Sequence, residues 1–588
     1  IHTKRNLELT ENLRTKERTY SLLWLLDKTK TAMGSRMLKQ MIENPLVDKE
    51  EIENRYDMVS KLLEEFLLKD ELKDLLKEVY DLERLAGRVS FGNANARDLL
   101  QLKSSLKVLP RIKEIVSELG FNLVIDDLTD LYEFLDKSIY ENPPITLKEG
   151  YLIKSGYNKE LDDLKLARSG GKDFIAKLEE KEKERTGIKN LRVGYNRVFG
   201  YYIEVSKGNS RQVKEEFGWE RKQTLANNER FITPELKEKE QLILGAEEKI
   251  INLEYELFTN IRCKVKEVIP TIQLTAKMVA KLDVMIAFAT VTEENNYTRP
   301  IIMPDKEVKI IEGRHPVVEK VLNGEFVSND IIFTKDKYVE LITGPNMAGK
   351  STYMRQMAMI VIMAQIGCFV PARKAYLPIF DKIFTRIGAS DDLVSGESTF
   401  MVEMKEANRA ILGATERSLI LFDELGRGTA TYDGISLAQA IIEYIHDNIK
   451  AITFFSTHYH ELTSLEEHKA HIKNVHVSAH EEGGTITFLH KVKDGSVDKS
   501  YGIHVAKLAQ LPDSLIKRAD EILKTYENKK PKKEVVSQIS MNLEESVAPI
   551  NKYDIIKKKL DDINPLELSP IEALNVLYEL KSEMDKKD

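Results

Sequence analysis

TGPNMAGKSTYMRQ, residues 343–356, is the stretch on which the reading turns. Gly344 to Ser351 fit G-x-x-x-x-G-K-[ST], with Pro345, Asn346, Met347 and Ala348 in the variable places and Thr352 following. The strand-like YVELIT precedes the motif and a helical run, Ser351–Gln365, follows it, which is the context the motif requires. Gly344 and Gly349 let backbone N–H groups face phosphate oxygens, and the helix adds its positive N-terminal end. Lys350 is placed to reach β- and γ-phosphates, and Ser351 to ligate Mg²⁺. The competing reading, an ordinary glycine turn, does not account for the flanking strand and helix.

Two further strand ends support the phosphate site. SLILFDE (418–424) is an apolar run that ends in two carboxylates, as a buried strand delivering acids at its C-terminal end would. Asp423 is the candidate Mg²⁺ ligand, and Glu424 the residue that orients or deprotonates the attacking water. In TFFSTHYH (453–460) a third strand ends near His458. A lone histidine at a strand end is more often a structural hydrogen-bonder, but a third strand ending at the same edge makes His458 a candidate γ-phosphate sensor. The pair His458/His460 lacks the supporting ligands that a zinc site needs.

Around these motifs, apolar strand-like runs (Val339–Thr343, Ser418–Phe422, Ala451–Phe455) alternate with helical ones (Ser351–Gln365, Ile435–His446), the signature of a largely parallel sheet. The longest apolar stretch, Met357–Ala372, is interrupted by Gln365 and Gly367 and reads as a buried helix rather than a membrane span. Upstream, residues 1 to 170 are rich in Leu, Lys and Glu. Glu50–Phe66 places Ile52, Tyr56, Val59, Leu62, Leu63 and Phe66 at helical spacing. The pattern breaks at Leu191–Val205, which reads as a β-hairpin between two long helical arms. From Lys189 to Arg230 there are nine Lys/Arg and five Asp/Glu, so the window is +4. Lys189, Arg192, Arg197, Lys207, Arg211, Arg221 and Lys222 are its candidate phosphate partners, although composition alone is equally that of a solvated face. Beyond the sheet region, Leu511–Tyr526 reads as helix, 527–551 as a polar tether, and Asn551–Lys586 as helical again.

The 588 residues suggest several domains, and 42% hydrophobic with 31% charged residues excludes global disorder. A net charge of −7 means that any DNA-binding surface is local. Cys263 and Cys368 are too few for a disulfide framework, and a reducing, cytoplasmic setting is expected. The opening IHTKRNLELT has no apolar signal region. It starts at Ile1 rather than Met, so the true N-terminus is expected upstream.

The ordered set of motifs resembles the ATPase domain of the MutS mismatch-repair family. TGPNMAGKSTYMRQ matches its nucleotide loop, DDLVSGESTFMVEM (391–404) its signature segment, DELGRGTATYDG (423–434) its second acidic motif, and THYHEL (457–462) its switch histidine. EGRHPVVE (312–319) and KSYGIHVAKLAQLP (499–512) match the domain's ends. RNLELTENL (5–13) and MGSRMLKQMIENPL (33–46) resemble the helical core, KERTG (183–187), YNRVFGYYIEVS (195–206) and RFITPELKEKE (230–240) the DNA clamp, and NPLELSPIEALNVLYELK (564–581) the oligomerisation segment. The resemblance therefore implies a multidomain fold: an all-α core and lever with an inserted small β-rich clamp, then an α/β P-loop ABC-type ATPase domain and a helical C-terminal tail. The expected boundaries are core and lever 1–170 and 237–299, clamp 171–236, ATPase 300–505, dimerisation segment 506–526, tether 527–551 and oligomerisation segment 552–588.

The same resemblance adds roles. Phe326 would stack on adenine, His490 would close that pocket, and Ser398 would act on the nucleotide of the other subunit. The implied cofactors are ATP and Mg²⁺. The implied partners are double-stranded DNA, a second copy of the chain (dimer or tetramer being left open) and a downstream repair protein of the MutL type. Two positions depart from the family pattern: Glu397 beside Ser398, and Ala430 where a serine is common. The family's Phe-x-Glu wedge is found only as Phe422-Asp423-Glu424, inside a strand, so the mismatch-reading and connector domains are expected to be missing from these residues. The alternative is a MutS-like ATPase that clamps recombination junctions without reading mismatches. A transporter-type or chromosome-organising ABC ATPase would carry a glycine-rich LSGGQ-like signature in place of SGESTFMVEM.

Overall fold

The computed structural model describes residues 2–527 apart from 197–199, 323, 346–347, 389–398, 483–484, 497–502, 504–505 and 508. Arg197, Asn346, Met347, Glu397 and Ser398, together with the tether and C-terminal segment from 528 onward, lie outside the described residues. The chain divides into two compact units, Ile1–Val505 and Ala506–Asp588. In the second, the helix Asp513–Glu527 begins just after Pro512.

The first part of the chain is helical because its apolar residues recur at helical spacing. Ala32–Glu43, Lys49–Glu64 and Leu82–Ser90 pack on the later helix Ile269–Asn295. That helix is apolar over most of its middle and correspondingly buried at Ile272, Val279, Leu282, Met285 and Phe288. Its buried charge, Asp283, accepts the N–H groups of Lys30 (2.9 Å) and Thr31 (2.8 Å) and the Thr31 hydroxyl (2.7 Å). This fixes Thr31 as the N-cap of Ala32–Glu43. The helix expected over Glu50–Phe66 stops at Glu64. Glu65 leaves helical geometry (φ −101°, ψ 60°), and a new helix, Phe66–Lys77, buries Leu72 and Leu76 while Phe66 stays exposed.

Two long helices, Lys159–Thr186 and Pro234–Glu267, pack on each other and carry a small sheet between them. At ~1.5 Å per residue they are about 42 and 51 Å long. The sheet is antiparallel, in the order β1 (Arg192–Asn196), β2 (Gly200–Ser206), β4 (Asn228–Ile232), β3 (Glu220–Thr224). It has its own core, in which Leu191, Ile203, Val205 and Phe231 meet Ile175, Leu178 and Leu236 from the helix ends. The expected boundaries at 170/171 and 236/237 both fall inside these continuous helices.

The rest of the first unit contains two sheets. One is four-stranded, in the order β5 (Ile301–Ile302), β9 (Lys374–Leu377), β6 (Val308–Gly313), β7 (Asn329–Phe333). The other is six-stranded, in the order β10 (Ile383–Arg386), β11 (Leu419–Asp423), β12 (Ile452–Ser456), β8 (Val339–Thr343), β13 (Ile472–Glu482), β14 (Thr485–Asp494). All its neighbours are parallel except the β13–β14 hairpin at one edge. β11, β12 and β8 are adjacent and in near register, Asp423 opposite Ser456 and Ser456 opposite Ile342, so their C-terminal ends meet at one edge.

The apolar stretch Met357–Ala372 is only partly helical. The helix Lys350–Ile366 ends where Gly367 turns to φ +90°, and the buried residues after it are not helical. Arg55 donates to the carbonyl of Ile366 (2.8 Å) and Tyr56 to that of Ala364 (2.7 Å), so the helix Lys49–Glu64 caps the helix that starts at Lys350. Among the described residues no helix is long and apolar enough to cross a membrane.

Candidate functional site

β8 ends at Thr343, and the chain turns through Gly344 and Gly349 into the helix that begins at Lys350. Gly349 has φ +98°, which a side-chain-bearing residue adopts only at a cost, and a Cβ there would press on the His490 ring. Lys350 is buried, and its ammonium folds back on the carbonyl of Gly344 at 2.5 Å. It also lies 3.3 Å from His458 Nε2 and 3.7 Å from Glu424 Oε1. Burial pulls its pKa down to about 8, against the opposing pull of the Glu424 and Asp423 carboxylates.

Asp423 ends β11 and accepts two hydroxyls, Ser351 Oγ at 2.5 Å and Ser456 Oγ at 2.6 Å. Ser351 and Asp423 are thus neighbouring hard oxygen donors, the donor chemistry that suits Mg²⁺. The next residue, Glu424, adopts a left-handed backbone (φ +56°), a strained conformation for glutamate that turns its side chain off the strand end. Its N–H donates to the carbonyl of Ser456 (3.0 Å). Its carboxylate meets His458 Nε2 at 2.6 Å and the guanidinium of Arg427. Burial pushes the Glu424 pKa up, but the His458 hydrogen bond and the charges of Arg427 and Lys350 outweigh it and hold the group below the usual range.

The loop after Glu424 is tied down as well. The N–H of Gly426 donates to Glu403, and Tyr459 Oη donates to the carbonyl of Gly426 at 2.9 Å. Arg427, Ser456 and Glu403 were not picked out by the sequence reading. The glycine-flanked arginine in LGRG was the available signal for the first, but which carboxylate it meets is a tertiary fact. Ala430 is the N-cap residue of Thr431–Tyr444 and supplies no side-chain cap, so a serine here would be a capping residue.

Next to the loop lies a cavity of about 380 Å³. Phe326, Val327 and His490 line it together with Gly349, Thr352, Tyr353 and Gln356. His490 Nδ1 is 3.0 Å from the carbonyl of Ala348. The structure therefore brings Phe326, Thr352 and His490 together beside the motif, and Lys350, Ser351, Asp423, Glu424 and His458 within one hydrogen-bonded cluster. Pro345 and Ala348 are buried in the loop between Gly344 and Gly349.

On the four-stranded tip sheet and the segments flanking its strands, Lys189, Arg192, Lys207, Arg211, Arg221 and Lys222 are all exposed. Two of them are engaged locally: Arg221 pairs with Glu229 (3.0 Å), and Lys222 lies 3.5 Å from Glu220. The aromatics mostly pack. Tyr195 and Tyr201 have ring centroids 4.9 Å apart, and Arg230 covers Tyr202 at 4.1 Å.

Residues 2–289 match the family described as MutS domain III, 340–527 MutS domain V, and 551–583 the DNA mismatch repair protein MutS C-terminal region. The chain is 56% identical to the DNA mismatch repair protein MutS of Bacillus subtilis (strain 168), over 99% of this chain and 70% of that protein. It is 57% identical to the protein of that name from Geobacillus sp. (strain WCH70), with the same coverage, and 54% identical to that of Bacillus cytotoxicus, over 100% of this chain and 71% of that protein. The chain belongs to the MutS family of DNA mismatch repair proteins.

Proposed function

We propose that this chain is a DNA-clamping ATPase of mismatch repair, coupling ATP binding and hydrolysis to its hold on duplex DNA. The observation that carries the reading is the convergence of Lys350, Ser351, Asp423, Glu424 and His458 where three parallel strands end. The reaction is ATP plus water to ADP plus phosphate. The attacking water bonds to the γ-phosphorus as the bond to the β–γ bridging oxygen breaks. Glu424, ionised at neutral pH, orients that water and accepts its proton. Lys350 leaves Glu424 to pair with β- and γ-phosphate oxygens, which frees the carboxylate for the water. His458, between the two, registers whether a γ-phosphate is present. Mg²⁺, held by Ser351 and Asp423, would neutralise charge on the phosphate oxygens. Phe326 and His490 hold the base from two sides. Ser398 completes the site of a second copy.

In this reading, 1–170 and 237–299 are core and lever, 171–236 the clamp, 300–505 the ATPase, 506–526 a dimerisation segment and 552–588 an oligomerisation segment on the tether 527–551. Lys189, Arg192, Arg197, Lys207, Arg211, Arg221 and Lys222 face the phosphate backbone, which fixes position without reading sequence. A protein of the MutL type is the downstream partner. The test is ATP hydrolysis by the 588-residue chain, with and without Mg²⁺ and duplex DNA. Hydrolysis that stops on chelation and changes in rate with DNA is expected. A chain that neither binds nor hydrolyses ATP, or whose hydrolysis ignores both, contradicts the reading.

A further inference from the structure

The peptide units on either side of Gly426 are held by different parts of the fold. Its N–H donates to the carboxylate of Glu403, on the helix Thr399–Gly413, and its carbonyl accepts Tyr459 Oη at 2.9 Å, from the segment after β12. Glu403 is 5% exposed, with a guanidinium nitrogen of Arg386 3.9 Å away. Taking a carboxylate out of water is costly, and a neutral side chain could also accept one N–H. What the charge adds is a stronger hydrogen bond, which holds the amide more stiffly.

The loop so held has little play. Gly426 is buried at φ +96°, and a Cβ on it would stand 2.7 Å from the carbonyl oxygen of Gly434, on the helix Thr431–Tyr444. A Cβ on Gly428 would stand 2.7 Å from that of Phe400, on the same helix as Glu403. Gly426 lies between Glu424 and Arg427, whose side chains pair with each other. Glu424 itself is in a left-handed conformation (φ +56°), which persists only where its surroundings enforce it. Its N–H to the carbonyl of Ser456 (3.0 Å) is one such tie, and the grip on Gly426, two residues on, is a second.

We propose that Glu403 and Tyr459 are positioning residues for Glu424: by gripping the two peptide units of Gly426 they keep the loop where it aims the Glu424 carboxylate at the attacking water. This rests on Glu424 being the group that orients and deprotonates that water. Tyr459 ties the loop to the residue after His458, and Glu403 ties it to the helix Thr399–Gly413. A shift of that helix is therefore passed through Glu403 to Glu424, where a displacement of about 1 Å is enough to slow the reaction.

The test is single-turnover hydrolysis and ATP affinity on the same preparations of the 588-residue chain, with Glu403→Ala and Tyr459→Phe placed in the parent and in Glu424→Gln. Glu403→Ala should slow hydrolysis about tenfold or more and leave ATP affinity within about threefold of the parent. Glu403→Gln keeps an acceptor oxygen for the Gly426 N–H and should recover most of the rate. Tyr459→Phe loses only the hydroxyl and should slow hydrolysis about threefold or more. In Glu424→Gln neither substitution should slow the residual reaction by more than about twofold, because the group they aim is gone, whereas a merely structural role would slow both backgrounds alike. Hydrolysis at the parent rate in Glu403→Ala, or equal slowing in both backgrounds, overturns the proposal. If Glu403→Ala does not fold, Tyr459→Phe decides by the same criteria. If Glu424→Gln alone hydrolyses ATP at the parent rate, the reading of Glu424 fails and takes this proposal with it.

Discussion

At the C-terminal edge of the six-stranded sheet, Lys350, Asp423 and Glu424 are buried or half-buried and each is held by named neighbours. On the tip sheet, Lys189, Arg192, Lys207 and Arg211 stand exposed on short strands and turns. Water screens the second set and hardly screens the first. Charges that must act on a reacting bond need fixed places in a poorly polarisable setting, where a displacement of an ångström matters. Charges that hold a duplex backbone need reach and number, and their effect should fade with salt. A buried charge removed should therefore cost much and depend little on ionic strength, and an exposed one the reverse.

The largest effect is expected at Lys350. Removing one partner of a buried charged cluster typically costs about 2–5 kcal/mol, so Lys350→Ala should weaken ATP binding about 10²- to 10³-fold, read by equilibrium titration. If Ser398 acts in trans, mixing Lys350→Ala with Ser398→Ala chains should restore part of the ATPase activity, because one composite site in the mixed dimer is whole. No recovery once mixed dimers are shown to form would remove the trans assignment.

A second interior titratable group, Glu340 on β8, should appear in stability rather than in activity. It is 2% exposed and lies 3.3 Å from the Tyr353 hydroxyl, and burial pushes its carboxyl up to about 7. Between its ordinary value and 7 the unfolded chain is ionised at this group and the folded chain is not. Stability should thus fall as pH rises through that window and stay lowered above it, by about 3 kcal/mol. Glu340→Gln should remove this pH dependence in denaturation curves taken at pH 5 and 8. An unchanged dependence would place its source elsewhere.

On the tip, Lys189→Ala with Arg192→Ala should weaken duplex DNA binding at low salt and make the log–log salt slope shallower by about 2, roughly one unit per phosphate contact. Arg221→Ala should change the slope less, because Glu229 already compensates that charge. Equal effects would mean that local pairing does not decide which cations meet DNA. The smallest change is at Ala430. Serine there would cap Thr431–Tyr444 and raise stability by about 1 kcal/mol, read as a shift in thermal midpoint.

The C-terminal edge of the six-stranded sheet is legible because three motifs place their polar residues next to one another at strand ends. Val339–Thr343 matches β8, and the other two strands lie one residue later than read. The tip was half legible. β1 and β2 are signalled by their Val and Tyr residues, whereas β3, ERKQT, is polar throughout and mostly exposed, with no alternation to betray it. β13 and β14 were passed over despite the Gly-Gly between their apolar runs, a usable hairpin signal. The break at Glu65 was invisible because helical spacing continues across it. What no periodicity encodes is which partner a polar side chain finds, and so the grip of Arg427 on Glu424 could not be read ahead.

Glu424→Gln tests the account most directly, because it keeps the shape of the side chain and removes the charge that His458, Arg427 and Lys350 surround. The measurement is single-turnover hydrolysis alongside ATP affinity on the same preparation. Affinity should stay within about threefold of the parent and hydrolysis should slow by about 10²-fold or more, as loss of the group that orients and deprotonates the water requires. Hydrolysis at the parent rate with ATP bound would contradict it.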